Sequence, residues 1–515
     1  MKRFKSTQIN FWSWFIALTF LLVISHLSVV MAQPSRDIDT DGCTSVIVGR
    51  LASVDGATMT SHSCDSGTDR TWINVVPHQK HSPGSMAKIY SRSKRTYGPE
   101  DPGTVIGEIP QASETYAYIN TAYACMNEYQ LAIGETTCGG KRELRSNEGI
   151  IDCPELYRLV LERAKTARGA IKVADELTKE YGYIDTGECF TFADPKETWH
   201  FEILGPGKGK KGAVWAAVRI PDDHVGVSAN AHRIQEIDLS KPDYYLASDN
   251  VFSLAEELGL WDPDGQEPFV FCHVYANRRG NLREWRALSL VAPSLKLDPK
   301  AIDYPLSVKA ERKLSVKDVL AIFRDNYQGT EFDVLKDVDS PFASYFLDSD
   351  MRQLLNIGRQ RAICCERATY LTVTQSRDWL CDPVGGVVWL GYDNPITTPH
   401  TPFYCGITRM PDSYMVDGRR GYQDHCAWWA YRRVSKFALF RWQDMTKDIN
   451  KTWQEIEDSA FARQKEFEAK AVQFYNQNPQ KCTEFLTQYS VDTAHQAVEA
   501  YKKLYEELVF KYYSR

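Results

Sequence analysis

A cysteine that opens a strand directly behind a glycine, just past an apolar leader, constrains this chain more than any other feature. Cys43 follows Gly42 and begins the run Cys43-Thr44-Ser45-Val46-Ile47-Val48-Gly49. A second extended run over 57–63 follows a Val54-Asp55-Gly56 turn, which predicts a hairpin. A hairpin returns its second strand beside its first, so the His62/Asp65 end arrives next to Cys43. Further strands are predicted at 72–76, 115–126, 129–134, 189–193, 198–204, 213–220, 224–229, 269–275, 368–374 and 387–392. One long helix is predicted over 153–181. Asp152 can cap it, Pro154 suits its first turn, and Leu156, Val160, Ala164, Ala167, Ile171, Ala174 and Leu177 recur at helical spacing. A helix is also predicted over 315–327, and a charged helical pattern runs from about 442, with a second helix after Ser490-Val491-Asp492. Short connectors make the strands antiparallel neighbours. Hairpins, a helical block, more antiparallel strands and then helices describe an α+β fold rather than a doubly wound parallel sheet.

Lys2, Arg3 and Lys5 precede an apolar stretch over 11–32 that ends in Val30-Met31-Ala32. Charged start, apolar middle and small-residue end predict a signal peptide at 1–32, followed by a short propeptide at 33–42. An uncleaved membrane anchor is the alternative for a stretch of this length. A lipidated Cys43 fits poorly, because the polar stretch 33–42 separates it from the apolar segment and Thr40-Asp41-Gly42 is a poor small-residue box. The mature protein is thus expected to be secreted or periplasmic, meeting a membrane only during export. Thirteen cysteines suit such a location, and setting Cys43 aside leaves an even number that permits disulfides without proving any. A net charge of −6 argues against a nucleic-acid binder. One large domain over 43–440 with a helical region at 441–515 accounts for the rest. The run 451–513 has one apolar and one charged face, which packs on the domain or could serve a homo-oligomer.

Cutting the Gly42–Cys43 bond would give one residue two reactive groups. The Cys43 thiolate attacks, and its freed α-amine, titrating near pH ~7.7–8.0 in model peptides, serves as base. Asp65 could orient the Cys43 ammonium or thiol by a charge-assisted hydrogen bond, and His62 lies three residues before it. Asn127 and Asn230 each sit at a predicted strand end, where an amide can donate to a developing oxyanion. Two other motifs fail their context. Gly207-Lys208-Gly209-Lys210-Lys211-Gly212 matches a dinucleotide fingerprint but joins two strands instead of opening a helix. His78 and His81 lack any H-E-x-x-H or paired C-x-x-C, so no metal and no other cofactor is expected.

The segments Cys43-Thr44, 58–65, 126–137 and 225–230, with the spacing between them, resemble the cysteine dipeptidase (dipeptidase A) family of N-terminal-nucleophile hydrolases. More distantly they are similar to choloylglycine hydrolase, penicillin V acylase and the secernins. The likeness extends through Asp194-Pro195-Lys196-Glu197-Thr198-Trp199, the phrase 215–223 and Ser228-Ala229-Asn230-Ala231-His232-Arg233-Ile234, and covers most of the mature chain. The resemblance implies a four-layer αββα sandwich and hydrolysis of dipeptides without a metal. It gives Cys43 the nucleophile position, Asp65 the carboxylate, and Asn127 and Asn230 the amide positions. Glu128, Glu135 or Asp65 could then take the substrate's free ammonium. Relatives often carry arginine where this chain has His62, and histidine can be neutral where arginine is always charged. The late arginine of the superfamily is assigned to Arg361 as a guess. An N-acyl amide substrate is the rival enzymatic reading, and a secreted binding protein with all cysteines paired is the rival outside enzymes.

Overall fold

The computed structural model describes residues 42–91, 103–277 and 279–513. The expected signal peptide, and all of the expected propeptide except Gly42, lie outside the described residues. Strands β1 (Ser45–Val48) and β2 (Ser61–Cys64) form the expected hairpin, antiparallel through Thr44–Ser63 and Val48–Met59 bridges. Serine side chains knit it. The Ser61 hydroxyl accepts from the Val46 amide at 2.7 Å and donates to the Val46 carbonyl at 2.9 Å, while Ser63 Oγ accepts from the Thr44 amide at 3.0 Å.

The chain continues through β3 (Asn74–Val76), β4 (Tyr118–Asn120), β5 (Met126–Asn127) and β6 (Ala132–Thr137). Helices α1 (Cys153–Arg163) and α2 (Ala167–Tyr181) follow, then β7 (Glu188–Ala193), β8 (Thr198–Leu204), β9 (Val214–Ile220), β10 (His224–Ser228) and β11 (Tyr245–Ala247). Eight of these strands make one antiparallel sheet in the order β11-β9-β8-β7-β6-β5-β4-β3. Beyond them come α3 (Leu282–Val291), β12 (Ser307–Lys309), α4 (Val316–Phe323), β13 (Tyr370–Gln375), β14 (Val387–Tyr392) and β15 (Thr401–Tyr404). The order β15-β14-β13-β2 makes a four-stranded sheet, and β1-β10-β12 a three-stranded one that the hairpin ties to it.

The class is α+β, as expected, with every pairing inside these sheets antiparallel. Strands β1 and β2 pack face-on against β6, and α2 covers β7 and β8. Helix α4 packs on β13, and α5 (Ala427–Ala438) packs on β14. The long helices α6 (Trp442–Gln477) and α7 (Pro479–Tyr513) pack on β15 and each other. Their apolar faces join the main core, where Trp389 stacks on Phe461 at 3.9 Å between centroids. Buried polar contacts pin α6 as well: Glu457 pairs with Arg324 and meets His400 at 3.0 Å, and Glu468 pairs with Arg377.

Local expectations fail in four places, three of them for a plain physical reason. The single helix over 153–181 is two, because Thr166 starts a new helix by accepting from the Gly169 amide at 3.1 Å. Asp152 does cap the first, accepting from Glu155 N at 3.0 Å. The run 115–126 holds short strands rather than one. The segment expected as a strand at 269–275 forms the one-turn helix Phe271–Tyr275, since a short apolar run has no periodicity to separate the two states. The last helix starts at Pro479, not after Asp492, because proline suits a first turn and Ser490 and Thr493 are buried inside a continuous helix. The thirteen cysteines are all free, so none is paired as the even count allowed. Among the described residues, no helix is long and apolar enough to cross a membrane.

Candidate active site

Alternation along β2 sends His62 and Cys64 to one face and Ser61 and Ser63 to the other. Cys43, just before β1, reaches that neighbourhood. Cys43 Sγ, a His62 ring nitrogen and a Glu135 oxygen all lie within 4.8 Å of one another. His62 Nε2 is 3.1 Å from Glu135 Oε2, both fully buried. The ring stands edge-on between Tyr123 and Tyr370, at 5.3 and 5.6 Å between centroids. Thr137 donates its hydroxyl to the other Glu135 oxygen at 3.1 Å.

Charge follows from this packing. A hydrogen bond from Cys64 draws the Cys43 thiol below its ordinary value, against burial and the Glu135 charge, with His62 adding to the lowering. Burial opposes a charge on His62, but Cys43 and then Glu135 outweigh it and push His62 up to about 10. Each of the two shifts moves its group toward the charged form, the thiol toward thiolate and the imidazole toward imidazolium.

The peptide preceding Cys43 is gripped on every side. Gly42 N donates to the Asp65 carbonyl at 3.1 Å, and Arg361 Nη2 donates to the Gly42 carbonyl at 2.7 Å. The same Arg361 nitrogen donates to Asp65 Oδ2 at 2.5 Å, so the guess at residue 361 lands beside the carboxylate. Burial lifts the Asp65 carboxyl above its ordinary value in spite of Arg361 and Arg283. Asp65 Oδ1 is buried and accepts no hydrogen bond among the described residues. Arg283, in the first turn of α3, donates to the Cys43 carbonyl at 2.9 Å and to Asn230 Oδ1 at 2.8 Å. Asn230 packs on Gly42, where an added Cβ would lie 2.3 Å from Asn230 Oδ1. With φ at +147° as well, only glycine fits there.

Cys43, His62, Asp65 and Asn230 thus converge. Asn127 does not: its amide donates to the carbonyls of Leu161 and Ala164 at 2.9 and 2.8 Å, at the end of α1. Its oxygen accepts from Tyr129 N and Leu131 N. With both donors spent on capping that helix, the expected oxyanion role is corrected to a structural one. Glu135, fully buried against His62, is likewise withdrawn from the candidates for a substrate ammonium. Glu128 accepts from His78 at 2.6 Å at the surface. Sequence reasoning missed Arg283 and the pairing of Glu135 with His62. The capping box Asn281-x-x-Glu284, present in the structure, was the signal that would have set Arg283 at a helix start.

A second buried cluster places Cys189, His200 and Glu202 atoms within 4.8 Å of one another. It is one of the sets chemically able to hold a cation, but Glu202 already accepts from His200, His232 and the amides of Arg233 and Ile234.

Both clusters lie within the span that known proteins match. The model of peptidase family C69 matches residues 42–455. A probable dipeptidase of Latilactobacillus sakei is 27% identical over 405 residues, covering 73% of this chain and 77% of that protein. A probable dipeptidase B of Lactococcus lactis is 27% identical over 403 residues, 75% of this chain and 79% of its own length. Dipeptidase A of Lactobacillus helveticus is 23% identical over 393 residues, with 73% and 77% covered.

Proposed function

The chain belongs to peptidase family C69, and from that premise we propose that it is an exported cysteine dipeptidase that cuts itself at Gly42–Cys43. Its relatives' names support dipeptides as the substrate class. Packing of α2 on one sheet, α4 and α5 on the other, and the hairpin on β6 between them supports the four-layer αββα reading.

After cleavage, Cys43 carries an α-amine next to its thiolate. Sγ attacks the dipeptide carbonyl, the amine passes the proton to the leaving nitrogen, and water hydrolyses the thioester. The Arg361 guanidinium, which donates to the carbonyl of the peptide that departs, is the group placed to support the oxyanion, and Asn230, whose Nδ2 also donates to the Thr137 carbonyl at 2.8 Å, lies beside it as the second candidate. Asp65 holds the new ammonium. Asp65 Oδ1, without a donor among the described residues, carries this reading: a buried carboxylate oxygen left so costs roughly 1–3 kcal/mol or more, which an ammonium at Cys43 would relieve.

Sequencing the N-terminus of purified, active protein tests it, with Cys43 the expected first residue. Active protein beginning at Gln33 would refute the scheme. Rates on free and N-acetylated dipeptides identify the substrate class, with the free forms expected to be faster. Preference for the acetylated forms would turn the assignment to an N-acyl amidase.

A further inference from the structure

On the reading above, we propose that His62, oriented by Glu135, carries the proton for removal of the leader, while Arg361 holds the oxygen of the bond that breaks. Two different proton carriers would then act on one sulfur, one before cleavage and one after it.

The need for a second carrier is chemical. In the uncut chain the Cys43 nitrogen is an amide, which has no basic lone pair. The α-amine that serves dipeptide hydrolysis does not yet exist when the leader must go. His62 is the imidazole beside Cys43 Sγ, and Glu135 lies 3.1 Å from its Nε2. The electrophile is also positioned. Gly42 is fixed through its nitrogen by Asp65 and through its oxygen by Arg361, and the next carbonyl is fixed by Arg283. Glycine's missing side chain lets Asn230 close over the bond. These contacts belong to the uncut chain, and the hydrogen bond to Gly42 O has no counterpart once Gly42 leaves.

The step balances as follows. The Cys43 thiol proton rests on His62. Sγ forms a bond to the Gly42 carbonyl carbon, whose oxygen takes up negative charge against Arg361. Collapse breaks the Gly42–Cys43 C–N bond, and the departing nitrogen receives the proton from His62. The product is a thioester of Gly42 on Sγ beside a free α-amine. Water then adds to the thioester, releasing a chain that ends in the Gly42 carboxylate and restoring the thiol. Glu135 touches neither sulfur nor scissile carbonyl in this scheme and acts as a positioning residue for the imidazole.

The test uses the full chain and a second version whose leader ends in a site for an added protease, so that Cys43 is exposed without self-cleavage. Intact-mass spectrometry over time gives the fraction cut at Gly42–Cys43. His62→Gln is expected to slow self-cleavage at least about 100-fold, the range for loss of a general acid or base. In the protease-opened version the same substitution should cost dipeptide turnover at least tenfold less than it costs self-cleavage. Glu135→Gln should slow self-cleavage and move its pH–rate profile, whose high-pH limb in the unaltered chain falls as His62 loses its proton near pH 10. Urea midpoints identify a variant that fails to fold, and the profile of the unaltered chain then decides. Self-cleavage of folded His62→Gln at the unaltered rate, or a high-pH limb that stays flat past pH 10, would overturn the inference. An unaltered protein that begins at Cys43 would keep the proposed function standing in that event, whereas one that is active with its leader attached would sink the function itself.

Discussion

Two buried clusters in this molecule hold the same three side-chain types, and only one of them faces a bond it could break. Cys43, His62 and Glu135 gather at the residue joined to the Arg361-bound Gly42 carbonyl; Cys189, His200 and Glu202 lie on β7 and β8, with Glu202 reaching the 230s segment. Their electrostatics are alike. Burial raises the Cys189 thiol, but Cys138 and His200 outweigh it and bring it to about 6, while burial opposes and Cys189 and Glu202 together push His200 up to about 10. The difference is in spare valence. Glu202 accepts from four donors and His232 Nε2 is 2.6 Å from the Gly139 carbonyl, so that network closes on itself. The Cys43 site keeps an Asp65 oxygen that has no partner among the described residues, and a clamped peptide carbonyl. A perturbed thiol and imidazole therefore do not identify a reactive site; a positioned electrophile does.

The largest expected contrast is kinetic. Cys43→Ala in the protease-opened chain should lower kcat/KM on a free dipeptide by about 10⁴ or more, as loss of a nucleophile does. Cys189→Ala should leave it within a few-fold, and a folded Cys189→Ala protein without activity would erase the distinction. Stability should respond in the opposite sense. Glu202→Gln removes the one anion that two buried histidines share, for a cost of about 3–5 kcal/mol read from urea midpoints. The pH dependence of that cost follows from its sign. Burial opposes the Glu202 charge, but His232 and His200 hold the carboxyl well below its ordinary value of 4.5. The stabilisation is therefore fully present above pH 4.5 and lost as pH falls toward the folded value, so the gap between variant and parent should narrow on acidification. The smallest contrast separates two asparagines that looked equivalent in sequence. Asn127→Ala should cost about 1–2 kcal/mol of stability with kcat intact, because it frees the carbonyls at the end of α1. Asn230→Ala should lower kcat instead, and the reverse pattern would undo the correction.

The reach of sequence reasoning tracks how local each contact is. Cys43, His62 and Asp65 share one hairpin, whose turn and strand pattern suffice to bring them together. Asn230 came from its predicted strand end together with family resemblance, and strand register then put it on Gly42 through β10 beside β1. Arg283 and Arg361 enter from hundreds of residues away, and nothing in a buried arginine's neighbours announces which carbonyl it will meet. Glu135 was legible only as one of three acids able to take a substrate ammonium, and sheet stacking alone reveals that it faces a histidine. Asn127 was legible as a strand end but not as the brace of a helix, because the break at 164–166 was read as continuous.

Chain ends ordinarily fray, because nothing beyond them holds the last residues in place. The end created at residue 43 would be an exception. The Thr44 amide rests on Ser63, the Val46 amide on Ser61, and the Cys43 carbonyl on Arg283, so the first residue is stitched in from its own carbonyl onward. What stays mobile is little more than rotation about the bond joining nitrogen to α-carbon and the bond carrying the sulfur. An amine confined in that way can meet the same sulfur turnover after turnover without any lid or partner to steady it.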